Sequence, residues 1–315
     1  MHGRLSITQQ QATLECFDPD KYTLRPQVTI QDIFQAVQSE SVTQGVVPFE
    51  NSTNGSVVYT LDLFADRDDE YPDLCVTGEA YLNVHHFLLG YDLGEVAPPF
   101  SPPPSDAVSS TPSVAPRSRC VRPVQHVQRV YSHPQAFGQC ELFLSTYLKG
   151  VERHEVSSTS RAAELVSQDA TKASAAISSE IAAKIRGLDV LAKGIEDRAD
   201  NTTRFLVLKK RSGTTNDAIE SVRTPRRKTL VSFTIDQSPP GALADALTVF
   251  SKHGLNLTSI NSRPTRQKPW NYVFFVEFQE GSTYTPGTIP AALGDLRTVA
   301  KEWRWLGTWA DTLKR

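Results

Sequence analysis

Short apolar runs alternate with amphipathic stretches along most of the chain. Ile30, Ile33, Phe34 and Val37 share one stripe at helical spacing, and residues 45–49 form an apolar run of strand length. Residues 6–17, with few apolar positions, are also predicted to be helical. This alternation predicts an α/β fold.

A polar loop, residues 50–55, follows the first predicted strand, and Val57, Leu61 and Phe64 then resume helical spacing. Ligands bind at such strand–loop–helix junctions in open α/β sheets. The first amides of the helix are free to hold an anion. The pattern therefore predicts a binding site at this loop.

A second junction of this kind follows residues 127–131, which are predicted to form a strand. Phe137 and Leu144 then lie along one helical stripe that runs to residue 148. Ser132 and Gln135 have the spacing of a capping box. Ser132 is therefore predicted to cap the helix and also to face the ligand.

Two further segments carry local predictions. Residues 80–90 are predicted to form one strand, in which the neighbours His85 and His86 point to opposite faces and have structural roles. Residues 97–118 are dominated by Pro and Ser and are predicted to form a mobile insertion loop.

The stretch 201–210 combines a strand pattern with candidate chemistry. Strand alternation places Thr203 and Phe205 on one face and Arg204 on the other. One face then offers a hydroxyl beside an apolar wall. Taken alone, the stretch favours an ordinary strand with cross-strand threonine pairs, because short motifs often match by chance.

The pattern changes beyond residues 209–227, a charged and polar stretch that is predicted to be a linker. Strand, helix, strand, strand, helix and strand follow. This βαββαβ order is that of a ferredoxin-like domain. Residues 228–315 are therefore predicted to form a separate small domain.

Composition excludes several classes of protein. The chain has 315 residues, a net charge of -2 and a pI near 6.4, so it lacks the basic footprint of a nucleic-acid-binding protein. No apolar stretch approaches the roughly 20 residues of a membrane span. The first residues lack the apolar core of a signal peptide, and the four cysteines form no CxxC pair. A cytoplasmic protein with reduced thiols is expected.

Five segments together resemble the prephenate dehydratases that carry a C-terminal ACT domain. They are GVVPFENSTNGSV, VYSHPQAFGQC, IEDRADNTTRF, PGALADALTVF and LNLTSINSRP. The resemblance implies an α/β, two-lobed, periplasmic-binding-protein-like catalytic domain over residues 1–208, with its active site between the lobes. It implies a ferredoxin-like ACT regulatory domain over residues 228–315.

The resemblance also implies chemistry. Such enzymes convert prephenate to phenylpyruvate, water and carbon dioxide without a metal or an organic cofactor, and phenylalanine binds the ACT domain and inhibits. The catalytic positions would be Thr203, Asn51, Ser132 and Gln139. Substrate would also contact Glu50, Ser52, Cys140 and Phe205, although Cys140 could equally fill the core. The effector would meet Gly241, Ala242, Leu243, Asn261, Ser262, Arg263 and Pro264. Arg204 is predicted to make a structural ion pair, and a homo-oligomer is expected by analogy.

Two departures from the family pattern matter. The family's first strand and its Gly-Pro-rich loop are absent, and the favoured explanation is a true start upstream of Met1. Asn261 stands where the family has Glu, which removes an acidic group from the effector segment.

Two alternatives to a prephenate dehydratase remain. Arogenate, which has an amine in place of the ketone, could be the substrate. A non-catalytic amino-acid-binding protein is favoured by the missing strand, but the retained Asn51, Ser132, Gln139 and Thr203 oppose it.

Overall fold

The computed structural model describes residues 7–94, 115–222, 224, 226–281 and 285–313. The chain divides into two compact units. The first contains Gln9–Leu82 and Thr202–Arg315, and the second contains Asn83–Asn201. Most of the predicted insertion at 97–118 lies outside the described residues.

The helices and strands alternate as the sequence predicts. The strands are β1 (Gly45–Asn51), β2 (Gly55–Ser56), β3 (Leu74–Asn83), β4 (Phe87–Gly90), β5 (Arg129–Ser132), β6 (Glu152–Glu155), β7 (Ser174–Ser178), β8 (Asp189–Lys193), β9 (Thr202–Lys210), β10 (Arg227–Thr234), β11 (Asn256–Pro264), β12 (Tyr272–Gln279) and β13 (Glu302–Ala310). The helices are α1 (Ile7–Cys16), α2 (Ile30–Gln38), α3 (Val58–Ala65), α4 (Pro134–Gln139), α5 (Glu141–Tyr147), α6 (Thr159–Ser167), α7 (Glu180–Arg186), α8 (Thr215–Ser221), α9 (Ala242–Lys252) and α10 (Thr288–Val299).

The first unit is built on an eight-stranded sheet with the order β11-β12-β10-β13-β3-β9-β1-β2. Helix α2 begins at a capping box between Thr29 and Asp32, and its apolar stripe is buried as predicted. Phe34 of that stripe packs in the same core cluster as Phe64 of α3 and Leu206 of β9. The helices predicted over residues 6–17, 30–37 and 57–64 are therefore confirmed as α1, α2 and α3.

Strands β10 to β13 with helices α9 and α10 form the predicted βαββαβ domain, and the predicted fold class is confirmed. Its apolar face packs on both helices through residues such as Phe233, Phe250 and Leu296. The preceding segment, predicted to be a linker, contains α8, whose Ile219 is fully buried in the same cluster. The linker prediction missed this helix because one buried side chain produces no periodicity.

The sheet of the βαββαβ domain joins the rest of the eight-stranded sheet at Gly307, which pairs in parallel with Val76 of β3. A Cβ atom at Gly307 would lie 2.2 Å from the Val76 carbonyl oxygen, and φ is +149° there. Only glycine allows such an approach of two backbones. The two domains therefore share one sheet within the first unit.

The second unit is a five-stranded sheet with the order β6-β5-β7-β4-β8. Strand β5 pairs in parallel with β6 and β7, whereas β4 runs antiparallel to β7 and β8. Its core cluster contains Leu88, Val130, Phe143 and Ile177.

Two element predictions are wrong. Residues 80–90 belong to two strands, β3 and β4, and not to one. The chain leaves the strand pairing between them because the Val84 N–H donates to the Asn201 carbonyl and the His86 N–H donates to the Glu196 carboxylate. The helix predicted over 137–148 is two helices, α4 and α5, which meet at Cys140 with φ -123° and ψ 19°.

Candidate active site

The hairpin β1–β2 places Asn51 opposite Thr203 at the start of β9. The Asn51 Oδ1 atom accepts from the backbone N–H groups of Thr53 and Asn54, each at 3.0 Å. An N–H group cannot donate to an NH2 group, so these bonds fix the orientation of the amide. The Asn51 Nδ2 atom therefore donates to Thr203 Oγ1, at 3.0 Å.

The Thr203 hydroxyl is partly buried and accepts that hydrogen bond. Within the described residues its own hydrogen is donated to no group of the protein. A hydroxyl oxygen that accepts from an amide is polarised toward donating its hydrogen. The hydroxyl is thus prepared to donate to a ligand.

Neighbouring contacts fix the hairpin on β9. The Ser52 Oγ atom accepts from the Thr202 N–H at 2.9 Å, and the Ser52 N–H donates to the Thr202 carbonyl at 2.8 Å. Glu50, also predicted to bind substrate, is partly buried and stands beside Arg204 in the β1–β9 register.

Phe205 is only 2% exposed and packs against Ala12, Val46 and Leu82. Phe205 therefore lies in the core of the first unit, and its contact with substrate stays a prediction. Arg204 points to the opposite face, where Glu79 and Glu277 accept its hydrogen bonds, so the predicted structural ion pair is confirmed.

Ser132 is fully buried at the end of β5, and its hydroxyl donates to the Ile177 carbonyl at 2.9 Å. The helix cap is instead His133, whose Nδ1 accepts from the Gln135 N–H. The capping-box prediction for Ser132 is wrong by one residue, because Ser132 is still part of the strand and its side chain turns toward β7.

Gln139, at the end of α4, contacts His86 of the same unit. The His86 Nε2 atom lies 2.6 Å from Gln139 Oε1. Burial lowers the pKa of His86, which favours the neutral ring. A neutral ring with its proton on Nε2 donates to the Gln139 oxygen and leaves the Gln139 NH2 group for other partners.

The carboxylate of Glu196 supports this histidine. Its Oε2 accepts from the His86 N–H at 2.9 Å, and its Oε1 lies 3.0 Å from His85 Nδ1. Sequence reasoning missed that His86 contacts Gln139 and that Glu196 contacts His86, since these partners lie 53 and 110 positions apart along the chain. In the sequence, the adjacent residues His85 and His86 were the signal that could have indicated these contacts.

Cys140 is fully buried in the core of the second unit. Burial raises the pKa of its thiol well above the usual value, so a reactive thiolate is disfavoured. Its surroundings match the core-filling alternative.

The two segments predicted to bind an effector lie on the βαββαβ domain. Gly241 has φ +89° and precedes α9, which begins at Ala242, and Leu243 packs partly into the core. The segment with Asn261, Ser262, Arg263 and Pro264 ends β11. Within the described residues, no hydrogen bond or ion pair joins the two segments.

Contacts from strand β2 and helix α3 already occupy the β11 segment. The Ser56 hydroxyl donates to Asn261 Oδ1 at 2.6 Å, and Arg263 pairs with Asp62 of α3.

In the ranges that the structure describes, no three His, Cys, Asp or Glu side chains group closely enough to hold a metal ion. In the same ranges, every helix is too short or too polar to cross a membrane.

Comparisons with known proteins identify the two domains. A family model described as "Prephenate dehydratase" matches residues 8–213, and one described as "ACT domain" matches residues 231–283. The bifunctional chorismate mutase/prephenate dehydratase of Aquifex aeolicus is 37% identical over 99% of this chain and 73% of that protein. Arogenate dehydratase/prephenate dehydratase 2 of Arabidopsis thaliana is 32% identical over 88% of this chain and 62% of that protein.

A crystal structure of prephenate dehydratase from Arthrobacter aurescens, in complex with L-Phe, matches with a TM-score of 0.76 and 25% identity. The match covers 98% of this chain and 88% of that one.

Proposed function

The chain belongs to the prephenate dehydratase family and carries an ACT domain, and we propose that it converts prephenate to phenylpyruvate, water and carbon dioxide. The observation that carries the proposal is the Asn51–Thr203 hydrogen bond. It leaves the Thr203 hydroxyl as a directed donor.

The reaction removes a carboxylate and a hydroxyl from the substrate ring. The C–C bond to the ring carboxylate breaks and releases carbon dioxide, and its electrons enter the ring. The C–O bond then breaks as hydroxide leaves and takes up a proton from the solvent to become water. Aromatisation supplies the driving force. The protein has to stabilise charge on the departing oxygen and hold the substrate's anionic groups.

Thr203 is proposed to donate to the departing oxygen. A threonine hydroxyl is a very weak acid, so its hydrogen bond strengthens mainly as negative charge develops in the transition state. Asn51 polarises the hydroxyl and keeps its hydrogen directed away from the protein.

Gln139 is proposed to bind a substrate carboxylate through its NH2 group. The bond with neutral His86 would set the amide in that orientation. Ser132 is proposed to hold the end of β5 in place, because its hydroxyl is already donated to Ile177.

L-Phenylalanine is proposed as an inhibitor that binds the ACT domain. The Arthrobacter relative, described as a complex with L-Phe, supports this proposal, as does the ACT match. We also propose that the protein assembles into a homo-oligomer and is located in the cytoplasm.

Arogenate is a second candidate substrate. The similarity to an enzyme named for both arogenate and prephenate favours it. A non-catalytic binder is disfavoured, because binding alone does not require a polarised hydroxyl at Thr203.

The test is incubation with prephenate, followed by the ultraviolet absorbance of phenylpyruvate in base. Arogenate is assayed in parallel through the release of phenylalanine. Thr203→Ala should lower turnover by about two to four orders of magnitude, the effect of one lost transition-state donor, and Thr203→Ser should retain more activity. Near-normal turnover of the alanine variant, at an unchanged melting temperature, would sink the proposal.

A further inference from the structure

Five charged side chains are buried together in the first unit. Two are cations and three are carboxylates: Arg204, Lys228, Glu79, Glu277 and Asp311. The Arg204 Nη2 atom lies 2.6 Å from Glu79 Oε2 and 2.5 Å from Glu277 Oε2. The Lys228 Nζ atom lies 3.0 Å from Glu79 Oε1 and 2.8 Å from Asp311 Oδ1.

Arg204 joins two domains within this cluster. It follows Thr203 on β9, and Glu79 belongs to β3 of the same catalytic lobe, whereas Glu277 belongs to β12 of the ACT domain. Arg204 is 7% exposed and Glu277 is 2% exposed. The rigid guanidinium fork therefore holds β9 at a fixed distance from an ACT strand.

The strand pairing is irregular near the start of β9. The register between β1 and β9 shifts between Pro48 and Glu50, just before Asn51 meets Thr203. Such a bulge interrupts the ladder and re-aims side chains near active sites. The side-chain anchor at Arg204, the residue after Thr203, adds a constraint on this segment beside the irregularity.

We infer that Glu277 of the ACT domain is a positioning residue for the catalytic hydroxyl, which it acts on through Arg204; this inference rests on the proposed function. The ACT domain then completes the catalytic lobe even when no effector is bound. A hydrogen bond of 2.8 Å from the Thr258 hydroxyl to Glu277 Oε1 keeps the carboxylate turned toward Arg204.

The cluster offers a matched pair of variants. Glu277→Gln and Asp311→Asn each remove one buried carboxylate and leave two cations with two carboxylates. They differ in partner, because Glu277 contacts Arg204 and Asp311 contacts Lys228. If activity is lost because a buried charge is removed or because folding is impaired, both variants should lose activity. If it is lost because Thr203 is misplaced, only Glu277→Gln should lose activity.

The experiment measures kcat and KM for prephenate, with melting temperatures, in the full-length protein. We expect Glu277→Gln to lower kcat about 10- to 100-fold, as a misplaced catalytic group does, while KM stays within about twofold. Asp311→Asn should keep kcat within about twofold of the unmodified protein, and Glu277→Asp should recover part of the loss. In a Thr203→Ala background, Glu277→Gln should lower the residual kcat no further, because the group that it positions is gone.

Equal losses in Glu277→Gln and Asp311→Asn, or the same loss with and without Thr203, would overturn the inference and leave the proposed function standing. No phenylpyruvate from the unmodified protein would remove the proposed function, and the inference with it. Should Glu277→Gln fail to fold, Arg204→Lys replaces it in the same comparison, because lysine keeps the positive charge but lacks the planar guanidinium group that contacts both carboxylates.

Discussion

Asp62 of α3 and Arg263 of β11 are joined by two hydrogen bonds, of 2.8 and 3.0 Å. Arg67 donates to the same carboxylate and to the Pro264 carbonyl. Burial opposes ionisation of Asp62, but the hydrogen bonds from Arg263 and Arg67 prevail and lower its pKa. A ligand that needs Arg263 must therefore compete with Asp62.

Arg263→Ala should weaken phenylalanine binding by about 10- to 100-fold, the effect of one lost hydrogen bond to a charged group. Asp62→Asn should strengthen binding, because the competing carboxylate loses its charge. Isothermal titration calorimetry measures both affinities. Arg153→Ala is the control, since Arg153 also pairs with a carboxylate, that of Glu141, and lies in the second unit, away from the effector segment. An unchanged affinity in Arg263→Ala would exclude Arg263 from the effector site.

Asn51→Asp should lower kcat more than its small change in shape suggests. The carboxylate can still accept from Thr53 and Asn54, so the turn should survive. It cannot donate to Thr203, whose hydroxyl would then donate to the carboxylate instead of the substrate. We expect a loss of about 100-fold or more in kcat with prephenate. Thr53→Ala, which changes an exposed side chain and keeps the backbone N–H that donates to Asn51, serves as the control, and an equal loss of kcat there would contradict the assigned role of Asn51.

The buried His86 should make stability depend on pH. Its pKa is lowered in the folded protein by burial, so at mildly acidic pH the unfolded chain binds a proton that the folded protein does not. Stability should fall as pH drops below about 6.5, by at most about 1.4 kcal/mol per pH unit from this group. Urea unfolding between pH 7.5 and 5 measures the slope. His86→Gln, which can still donate to Gln139, should show a shallower slope, and equal slopes would refute the contribution.

Gly307→Ala should destabilise the first unit by at least about 3 kcal/mol, since the new methyl group would overlap the Val76 backbone at a positive φ. Gly294→Ala is the matched control in the same domain. A Cβ at Gly294 meets nothing within 4 Å on helix α10, so this change should add about 1 kcal/mol of stability. Chemical denaturation measures the free energy of unfolding of both variants. Similar values would show that the β13–β3 junction tolerates a side chain at residue 307.

Local patterns in the sequence were enough to predict the elements that depend on neighbours in the chain. The stripe through Ile33, Phe34 and Val37 predicted α2, and the order of strands and helices after residue 227 predicted the ferredoxin-like βαββαβ arrangement. Strand alternation at Thr203 and Arg204 predicted which side chains share a face.

Contacts between distant segments could not be predicted in this way. The Arg204 partners lie 125 and 73 positions away, and no periodicity records such a pairing. The strand break at residues 84–86 also depends on remote acceptors, Asn201 and Glu196. The cap at His133 was missed because the end of β5 decides where α4 begins.

The backbone contact at Gly307 also limits which regulatory domains could be exchanged between relatives. A foreign ACT domain grafted onto this catalytic lobe would have to present a glycine opposite Val76, as well as an acidic side chain within reach of Arg204. Chimaeras that match only the length of the intervening segment would leave a steric overlap and an Arg204 that keeps only Glu79 of its two carboxylate partners. Whether hybrid enzymes fold would then depend more on the residues where the two domains meet than on the segment that connects them.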